Sequence, residues 1–448
     1  MSNFSAMSLE ELLQTDGHSC SCGRVHSSGL KFLKVGSGAV NSLKEAMDTI
    51  GCCKPFIVCD QNTKAAAWDQ VKAVLEKDEI TYTFFCLNSE HLEPDEHTMG
   101  SLIMAFDPSC DVVLGIGSGV INDSCKVLAH AVGCPSIIVG TAPSMDGYAS
   151  NSSSMIMGGI KVSLYNACPE AIIADTDIMK NAPDRMLWAG LGDMLAKYIS
   201  ICEWRISHLV TGEYYCENIA ELMRYSLQKI VNAAPGLTDR DPQVIEAVVE
   251  GLILSGVAMA FAEISRPASG LEHYFSHLWE MMALERGLPY DLHGIQVGVG
   301  TWQTLKVYDK IRKMKPSRET AEAFMINFNQ KLWEQRVREI FGSAAQTVLE
   351  LEEKIHKNDP CKHHQRLNII LSHWDDIQQI ILEELPQTQD IENLMQSLCM
   401  PMKPKDIGIS DADAYNAFIA SREIRDKYLT SSLLWDLGVL YEFMDKPR

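Results

Sequence analysis

Short apolar runs alternate with helical stretches up to residue 178, and this alternation restricts the fold more than any other feature of the sequence. The runs KPFIVCD, ITYTFFCL, DVVLGIG and PSIIVG are separated by segments with helical periodicity, such as NTKAAAWDQVKAVLEK. Short buried strands joined by helices form a parallel sheet that is covered on both faces. The sequence therefore predicts a doubly wound α/β domain over residues 1–178.

The pattern changes after Met179, where the strand-like runs stop and long helical periodicities continue towards the C-terminus. This shift marks a boundary more clearly than any linker does. A chain of 448 residues also exceeds the usual size of one hydrophobic core. We therefore expect residues 179–448 to form a second, all-helical domain.

The net charge and the cysteine content limit the classes of binding partner and the cellular compartment that the sequence is compatible with. A formal net charge of -20 without a Lys/Arg-rich run argues against nucleic acid or an anionic membrane as the main partner. The apolar stretches are interrupted well before the roughly 18 residues that a membrane span needs, so we expect no membrane insertion. Fourteen scattered cysteines follow no secretory signal, which favours reduced thiols in a cytoplasmic protein.

One group of cysteines and histidines near the N-terminus, HSCSCGRVH, has residue types that bind metals. It contains Cys20, Cys22, His18 and His26. The Cys-x-Cys spacing differs from the Cys-x2-Cys of zinc knuckles, and no second cysteine pair follows at finger spacing. An ordered loop or short strand is the first interpretation, and metal binding is the alternative.

A glycine-rich segment, GIGSGVINDSCK, follows an apolar run directly and opens a helix. Its Gly117, Ser118 and Gly119 can bring backbone N–H groups close to a pyrophosphate at a helix N-terminus. The segment lacks the G-x-G-x-x-G fingerprint, so an ordinary strand-to-helix turn is an equal alternative. Asp123, in the same segment, is a further candidate for cofactor binding.

Polar side chains follow two more of the predicted strands. Asp60 ends PFIVCD, where a carboxylate can bind a ribose diol or cap the next helix. The segment TAPSMDGYASNSS follows PSIIVG and carries Thr141, Ser144, Asp146 and Ser150. Ligands of such sheets bind at the carboxyl ends of the strands, although a plain polar loop is also compatible with this composition.

The segment SGLEHYFSHLWE places His273 and His277 four positions apart, on one helical face. His293 follows at the start of another predicted helix. Two histidines and one carboxylate make a three-ligand catalytic metal site with an open position. Asp193 lies in the apolar helix GLGDMLAKY, where an unpaired carboxylate would be costly to bury. A single histidine is more often a packing residue, but the joint pattern favours a metal site.

Taken in order, GIGSGVINDSCK, TAPSMDGYAS, GLGDMLAKY, SGLEHYFSHLWE and LHGIQVGVGT resemble the sn-glycerol-1-phosphate dehydrogenase family. This family belongs with the glycerol dehydrogenases, iron-type alcohol dehydrogenases and dehydroquinate synthases. The resemblance covers about residues 30–310. The N-terminal Cys-x-Cys-Gly segment and the C-terminal LLWDLGVLYEF also resemble bacterial members of the family, which extends the resemblance over most of the chain. It implies a Rossmann-like N-terminal domain and an all-α C-terminal domain in a dehydroquinate synthase-like architecture.

The resemblance also implies roles for the polar residues of these motifs. Asp193, His273 and His293 match the family's metal ligands. His277 is then not a ligand itself, and either supports a ligand or lies on the substrate side. Lys197 occupies the position where related iron-type enzymes usually have another histidine ligand. Dehydroquinate synthases have a glutamate where this chain has Asp193, and this difference favours a dehydrogenase.

The implied reaction is the reversible reduction of dihydroxyacetone phosphate to sn-glycerol 1-phosphate with NADH or NADPH. A divalent ion, zinc or nickel first, would polarise the ketone oxygen, with His277 relaying a proton. Asp60 at the ribose favours NAD over NADP. The pyrophosphate would lie on Gly117, Ser118 and Gly119, and the nicotinamide beside Asp146 and Ser150. The candidates for the substrate phosphate are Lys161, Lys197 and Arg266.

The sequence is also compatible with two other functions. One is a carbocycle-forming lyase of the dehydroquinate synthase kind, which uses NAD transiently, and the other is a non-catalytic nucleotide-binding protein. The resemblance further implies a homodimer or larger homo-oligomer.

Overall fold

The computed structural model describes residues 3–13, 17–89, 92–158 and 160–444. By their internal contacts they form two compact units. The first unit combines Met1–Met194 with Cys216–Pro267, and the second combines Leu195–Tyr215 with Ala268–Arg448. Each unit is therefore built from two separate segments of the chain.

The first unit contains strands and helices in alternation. Its strands are β1 (His18–Ser19), β2 (Val25–His26), β3 (Phe32–Gly36), β4 (Pro55–Asp60), β5 (Thr83–Leu87), β6 (Val112–Gly117), β7 (Ser136–Gly140), β8 (Ser152–Met157), β9 (Ile160–Tyr165) and β10 (Ala171–Asp175). Its helices are α1 (Leu9–Leu12), α2 (Leu43–Ile50), α3 (Gln61–Lys77), α4 (Glu96–Ala105), α5 (Gly119–Val132), α6 (Thr176–Met179), the first part of α7 (Asp184–Thr211), α8 (Glu217–Ala233) and α9 (Pro242–Ala262).

The described strands of this unit include a parallel sheet of six, in the order β5-β4-β6-β7-β10-β3. The residues of β4, β6 and β7 are almost all buried, because helices cover both faces of a parallel sheet. β1 pairs with β2 and β8 pairs with β9 in two antiparallel hairpins. The predicted doubly wound α/β domain is confirmed.

The strand order changes direction between β4 and β6. From β4 the chain continues to β5 on one side, and from β6 it continues to β7 on the other. In open α/β sheets, ligands bind at the carboxyl ends of the strands where the order reverses. Asp60 ends β4 and Gly117 ends β6, so two of the predicted cofactor residues lie at this crevice.

Helices α8 and α9 pack in the first unit, although the sequence analysis grouped them with the helical domain. Contrary to the expectation that every apolar stretch is too short, α9 is long and apolar enough to cross a membrane, but 78% of its most apolar window is buried inside the protein. Gly251 lets it approach α8 closely, since a Cβ there would meet Ile230 Cγ1 at 2.5 Å. This apolar helix is therefore part of the core of the first unit.

The second unit is helical throughout its described residues. In addition to the C-terminal part of α7, it contains α10 (Leu271–Arg286), α11 (His293–Ile311), α12 (Arg318–Ile326), α13 (Gln330–Phe341), α14 (Ala345–Ile355), α15 (Pro360–Ser372), α16 (Trp374–Glu384), α17 (Thr388–Ser397), α18 (Asp411–Ala420), α19 (Thr430–Asp436) and α20 (Leu440–Phe443). The predicted helical character of the C-terminal region is confirmed.

Gly190→Ala tests the close packing of α7 on the loop that follows β7. A Cβ at Gly190 would lie 2.0 Å from the carbonyl oxygen of Pro143, so the backbone must move, at a cost of about 1–3 kcal/mol or more. Thermal unfolding should show a clear drop in Tm. Gly100→Ala in α4 is the matched control: a Cβ there meets nothing within 4 Å, and alanine should stabilise that helix by about 0.5–1 kcal/mol. Equal Tm values for the two variants would contradict this account.

Candidate functional site

The turn between β6 and α5 uses its two glycines differently. A Cβ at Gly117 would lie 2.5 Å from Cβ of Ile121, so the close packing of the helix on the strand requires glycine. A Cβ at Gly119 would meet only Met145 Cγ, at 3.9 Å, which is an ordinary contact. Packing within the described residues therefore does not require Gly119, and the backbone there is open to a ligand.

The N-terminus of α5 is suited to an anion. Ser118 is its N-cap residue, but the Ser118 side chain does not cap the helix; its Oγ instead hydrogen-bonds with Oγ of Ser144. The backbone N–H of Thr141 donates to the Gly117 carbonyl at 3.1 Å. The loops after β6 and β7 are therefore joined, while the Ser118 side chain leaves the first N–H groups of the helix to other acceptors.

The loop after β7 is held by buried groups of α7 and α9. The backbone N–H of Asp146 donates to Asp193 Oδ2 at 3.0 Å, and Ser255 Oγ donates to Asp146 Oδ2 at 2.8 Å. Burial raises the pKa of Tyr148 to about 12, and its hydroxyl donates to the carbonyl of Ala142 at 2.7 Å. Asp146 is thus fixed on both its backbone and its side chain.

Lys126, which the sequence analysis did not single out, organises the other end of this loop. Its buried ammonium lies 3.3 Å from Ser150 Oγ and 3.0 Å from Asp123 Oδ1. Asp123 also accepts from the Ser154 N–H at 2.8 Å, which joins α5 to β8. The contacts of Asp123 and Ser150 hold the backbone, so the proposed cofactor roles of these two residues stay predictions.

Asp60 caps α3. Its Oδ1 accepts the Thr63 N–H at 2.8 Å, and the Thr63 hydroxyl accepts the Asp60 N–H at 3.0 Å. The capping alternative for Asp60 is therefore present in the structure. This cap uses one carboxylate oxygen of a half-buried side chain, so it is compatible with a second hydrogen bond to a ribose.

Three histidines of the second unit lie together. The ring centroids are 6.4 Å apart for His273 and His277, 5.3 Å for His273 and His293, and 5.5 Å for His277 and His293. Gly300 allows this proximity of α10 and α11, since a Cβ there would lie 2.5 Å from the Glu272 carbonyl oxygen. The spacing in the sequence correctly indicated that the imidazoles meet.

Buried glutamates orient two of these imidazoles. Nδ1 of His273 lies 2.9 Å from Glu272 Oε1, and Nδ1 of His293 lies 3.2 Å from Glu280 Oε1 and 2.9 Å from Ser276 Oγ. A carboxylate that accepts from Nδ1 leaves the lone pair of Nε2 available to a metal ion. Neither glutamate was predicted from the sequence, although each lies within four residues of a histidine in SGLEHYFSHLWE.

Glu203 on α7 fixes the start of α10. Its Oε2 accepts the Leu271 N–H at 3.0 Å and its Oε1 accepts the Thr430 N–H at 2.8 Å. Gly270, the N-cap residue, has no side chain with which to cap the helix, so the carboxylates of Glu203 and Glu272 bind the first N–H groups instead. Negative charge at a helix N-terminus is stabilising. The two carboxylates therefore fix where α10 begins, and with it the position of His273 in the first turn.

The donor chemistry of this cluster fits a divalent ion. Ligand atoms of His277, Glu280 and His293 lie within 4.8 Å of one another, and imidazole with carboxylate suits zinc, nickel or iron. Asp193 is buried in α7 of the first unit. The resemblance assigns the ion to Asp193, His273 and His293, and the alternative set is His277, Glu280 and His293.

The three candidate cations lie in different elements. Lys197 is fully buried in α7, and its Nζ donates to the Ala268 carbonyl at 3.4 Å. Arg266 is also fully buried, just after α9. Lys161 is half-buried in the β8–β9 hairpin. Their roles at a substrate phosphate stay predictions.

Comparison with known proteins agrees with these features. Residues 34–183 match the model of the iron-containing alcohol dehydrogenases. A glycerol-1-phosphate dehydrogenase [NAD(P)+] of Halalkalibacterium halodurans is 30% identical over 412 residues, which cover 91% of this chain and 93% of that protein. The chain belongs to the glycerol-1-phosphate dehydrogenase family. A second member, from Bacillus licheniformis, is 31% identical over 77% of this chain and 88% of its own length.

Solved structures show that this family member has the expected fold. Glycerol dehydrogenase from Schizosaccharomyces pombe superposes with a TM-score of 0.60 at 17% identity and covers 92% of this chain and 89% of its own. Butanol dehydrogenase A from Thermotoga maritima gives a TM-score of 0.58 at 13% identity, covering 95% of this chain and 99% of its own. At such identities the likeness concerns the fold alone, and it confirms the predicted dehydroquinate synthase-like architecture.

Gly117→Ala and Gly119→Ala should separate packing from cofactor binding in this family member. The Gly117 variant should lose about 1–3 kcal/mol of folding stability, because its Cβ would meet Ile121. The Gly119 variant should keep the wild-type Tm but bind NADH several-fold more weakly, because its methyl group would fill the space in which the pyrophosphate approaches the backbone. Thermal unfolding and NADH fluorescence titration measure the two effects. Unchanged NADH affinity in Gly119→Ala would remove this turn from the cofactor site.

Proposed function

We propose that this chain catalyses the metal-dependent, reversible reduction of dihydroxyacetone phosphate to sn-glycerol 1-phosphate with NAD(P)H. The observation that carries the proposal is the similarity, over 93% of its length, to a protein named glycerol-1-phosphate dehydrogenase [NAD(P)+]. The open helix N-terminus after β6 and the carboxylate-oriented histidines support it independently, since they provide sites for a nucleotide and an ion. We also propose a cytoplasmic homodimer or larger homo-oligomer acting on a small phosphorylated substrate.

The nucleotide site consists of groups at the carboxyl ends of β4, β6 and β7. Gly117, Ser118 and Gly119 bind the pyrophosphate through backbone N–H groups. Asp60 accepts a hydrogen bond from the adenosine ribose and disfavours a 2′-phosphate, so NAD(H) is favoured. The remaining proposed cofactor residues line the adjacent loop and helix: Asp123, Thr141, Ser144 and Ser150.

Asp193, His273 and His293 would hold the divalent ion, zinc or nickel. When bound, the ion supplies a Lewis acid for the ketone oxygen and the nicotinamide supplies the hydride. Glu272 keeps the proton of His273 on Nδ1, and Glu280 does the same for His293, so each Nε2 remains a donor of its lone pair. These three side chains would hold the ion, and the ion would supply the Lewis acid that the substrate oxygens need.

His277 and Asp146 serve the substrate side of the reaction. His277 adjoins both other imidazoles, and at neutral pH an imidazole can both donate and accept a proton. It therefore passes the proton to the developing alkoxide. Asp146 is held rigidly by Asp193 and Ser255, which fixes the loop that orients the nicotinamide.

The decisive experiment follows NADH absorbance in the presence of dihydroxyacetone phosphate. Purified protein should oxidise NADH, lose this activity after chelation, and regain it with zinc or nickel. The product should be the sn-1 enantiomer. Release of phosphate without net NADH consumption would instead indicate a lyase of the dehydroquinate synthase kind, and binding of NADH without turnover would indicate a non-catalytic protein.

Single alanine variants should distinguish the two possible ligand sets. Asp193→Ala and His273→Ala should each lose the bound catalytic ion and turnover while the fold stays intact. His277→Ala should keep the ion and lose at least roughly 100-fold in kcat, a usual contribution of general acid–base catalysis. Metal analysis and circular dichroism measure these effects. Loss of the ion from His277→Ala, with retention in His273→Ala, would assign the ion to His277, Glu280 and His293.

Asp60→Asn should relax the preference for NADH. Asparagine can still accept from the Thr63 N–H, so the helix cap is largely kept, whereas the negative charge facing a 2′-phosphate is removed. The ratio of kcat/KM for NADPH to that for NADH should rise several-fold, with little change in Tm. An unchanged ratio would place the adenosine ribose elsewhere.

Lys197→Met should weaken recognition of the substrate phosphate. Methionine keeps much of the apolar stem but removes the cation that a net-acidic protein needs beside a dianion. The KM for dihydroxyacetone phosphate should rise far more than the KM for unphosphorylated dihydroxyacetone. An equal rise for both substrates would argue for a structural role of Lys197 and direct attention to Arg266 and Lys161.

A further inference from the structure

The N-terminal cysteines meet a third cysteine that is remote in the sequence. Sγ of Cys20 lies 3.5 Å from Sγ of Cys216, Sγ of Cys22 lies 3.2 Å from Nε2 of His26, and Sγ of Cys216 lies 3.9 Å from the same nitrogen. All four ligand atoms lie within 4.8 Å of one another. We propose that Cys20, Cys22, His26 and Cys216 bind a structural zinc ion.

The distances match tetrahedral zinc. At the tetrahedral angle, bonds of about 2.3 Å to sulfur and about 2.0 Å to nitrogen separate two sulfur ligands by about 3.8 Å, and sulfur from nitrogen by about 3.5 Å. The three separations given above, 3.2–3.9 Å, each differ from these values by only a few tenths of an ångström, and all pairs of ligand atoms lie within 4.8 Å. Four protein ligands leave no open position, so this is a closed structural site.

The imidazole of His26 is prepared for this role. Its Nδ1 lies 2.7 Å from the carbonyl oxygen of Phe261. A carbonyl only accepts, so Nδ1 carries the proton and Nε2 presents its lone pair to the sulfurs. The ring is stacked on Phe261 and meets Phe4 edge-on, and the residue is 1% exposed. Its orientation is therefore fixed without an ion.

The cysteines are positioned by a tight turn and by a helix start. The Gly23 N–H donates to the Cys20 carbonyl at 3.0 Å, and Gly23 has a φ of +85°, which favours glycine. Cys216 precedes α8 directly as its N-cap residue. Asn218 Nδ2 donates to Cys20 Sγ at 3.1 Å, as an amide does to a metal-bound thiolate.

The sequence suggested His18 for this cluster, but the structure replaces it with Cys216. His18 pairs with His26 across the β1–β2 hairpin and packs on Phe4 and Phe261. The ion would fasten this hairpin to the start of α8, 190 positions away from His26 in the sequence. All four ligands belong to the first unit, and none belongs to the proposed catalytic set.

Metal analysis of the full-length chain tests the site. The wild type should hold about two ions per chain, Cys22→Ser about one, and the control Cys53→Ser, whose cysteine is exposed, about two. Asp193→Ala should keep the structural ion, so failure of the proposed catalytic function and failure of this proposal are distinguishable. Equal zinc content in wild type and Cys22→Ser would overturn the proposal.

Cobalt substitution gives a second readout that does not depend on whether the cysteine variants fold. The wild-type chain loaded with Co²⁺ should show thiolate-to-cobalt charge-transfer absorption in the near ultraviolet, because the proposed catalytic ligands contain no sulfur. Asp193→Ala should keep this absorption and a folded Cys216→Ser variant should lose most of it. A cobalt-loaded wild type without thiolate absorption would show that the four residues form only a hydrogen-bonded thiol cluster.

Discussion

The hydrogen bond from the Asp146 backbone to the buried carboxylate of Asp193 is the contact on which the proposed chemistry depends. It joins the loop after β7 to the helix that carries Asp193, the first of the proposed metal ligands. Gly190 lets the same helix touch Pro143, and Gly256 lets α9 touch Asp146. Because backbone atoms make these contacts, the geometry tolerates little variation. The loop after β7 and the Asp193 carboxylate therefore keep a constant separation within the first unit.

In the second unit, buried carboxylates fix the start of a helix and orient the histidines. Glu203, Glu272 and Glu280 are each no more than 2% exposed, yet each accepts hydrogen bonds from backbone N–H groups or from an imidazole. Burying an unpaired carboxylate is costly, so such a group is retained where its negative charge is needed. Here the charge fixes the start of α10 and selects the tautomers of His273 and His293. The positions and the tautomers of these two imidazoles thus have one common cause.

Local patterns in the sequence predicted much of this molecule, and distant partners explain most of what was missed. The runs that form β4 to β7 are continuous and apolar, and the histidines lie at helical spacing. β3 was not predicted because it is an edge strand, which needs no continuous apolar run, and Lys34 interrupts its apolar residues. β10 was not predicted because AIIAD is too short to distinguish the periodicity of a helix from that of a strand. Glu203 and Cys216 could not be assigned, because their partners lie far away in the chain.

The assignment of α8 and α9 to the first unit has a consequence for how the protein is made. Residues 216–267 return to this unit after the chain has passed through residues 195–215 of the other. The sheet therefore emerges from the ribosome before the helices that complete its core, and contacts of such long sequence separation form slowly. Until then, apolar surfaces that α9 will cover stay exposed to solvent and to other nascent chains.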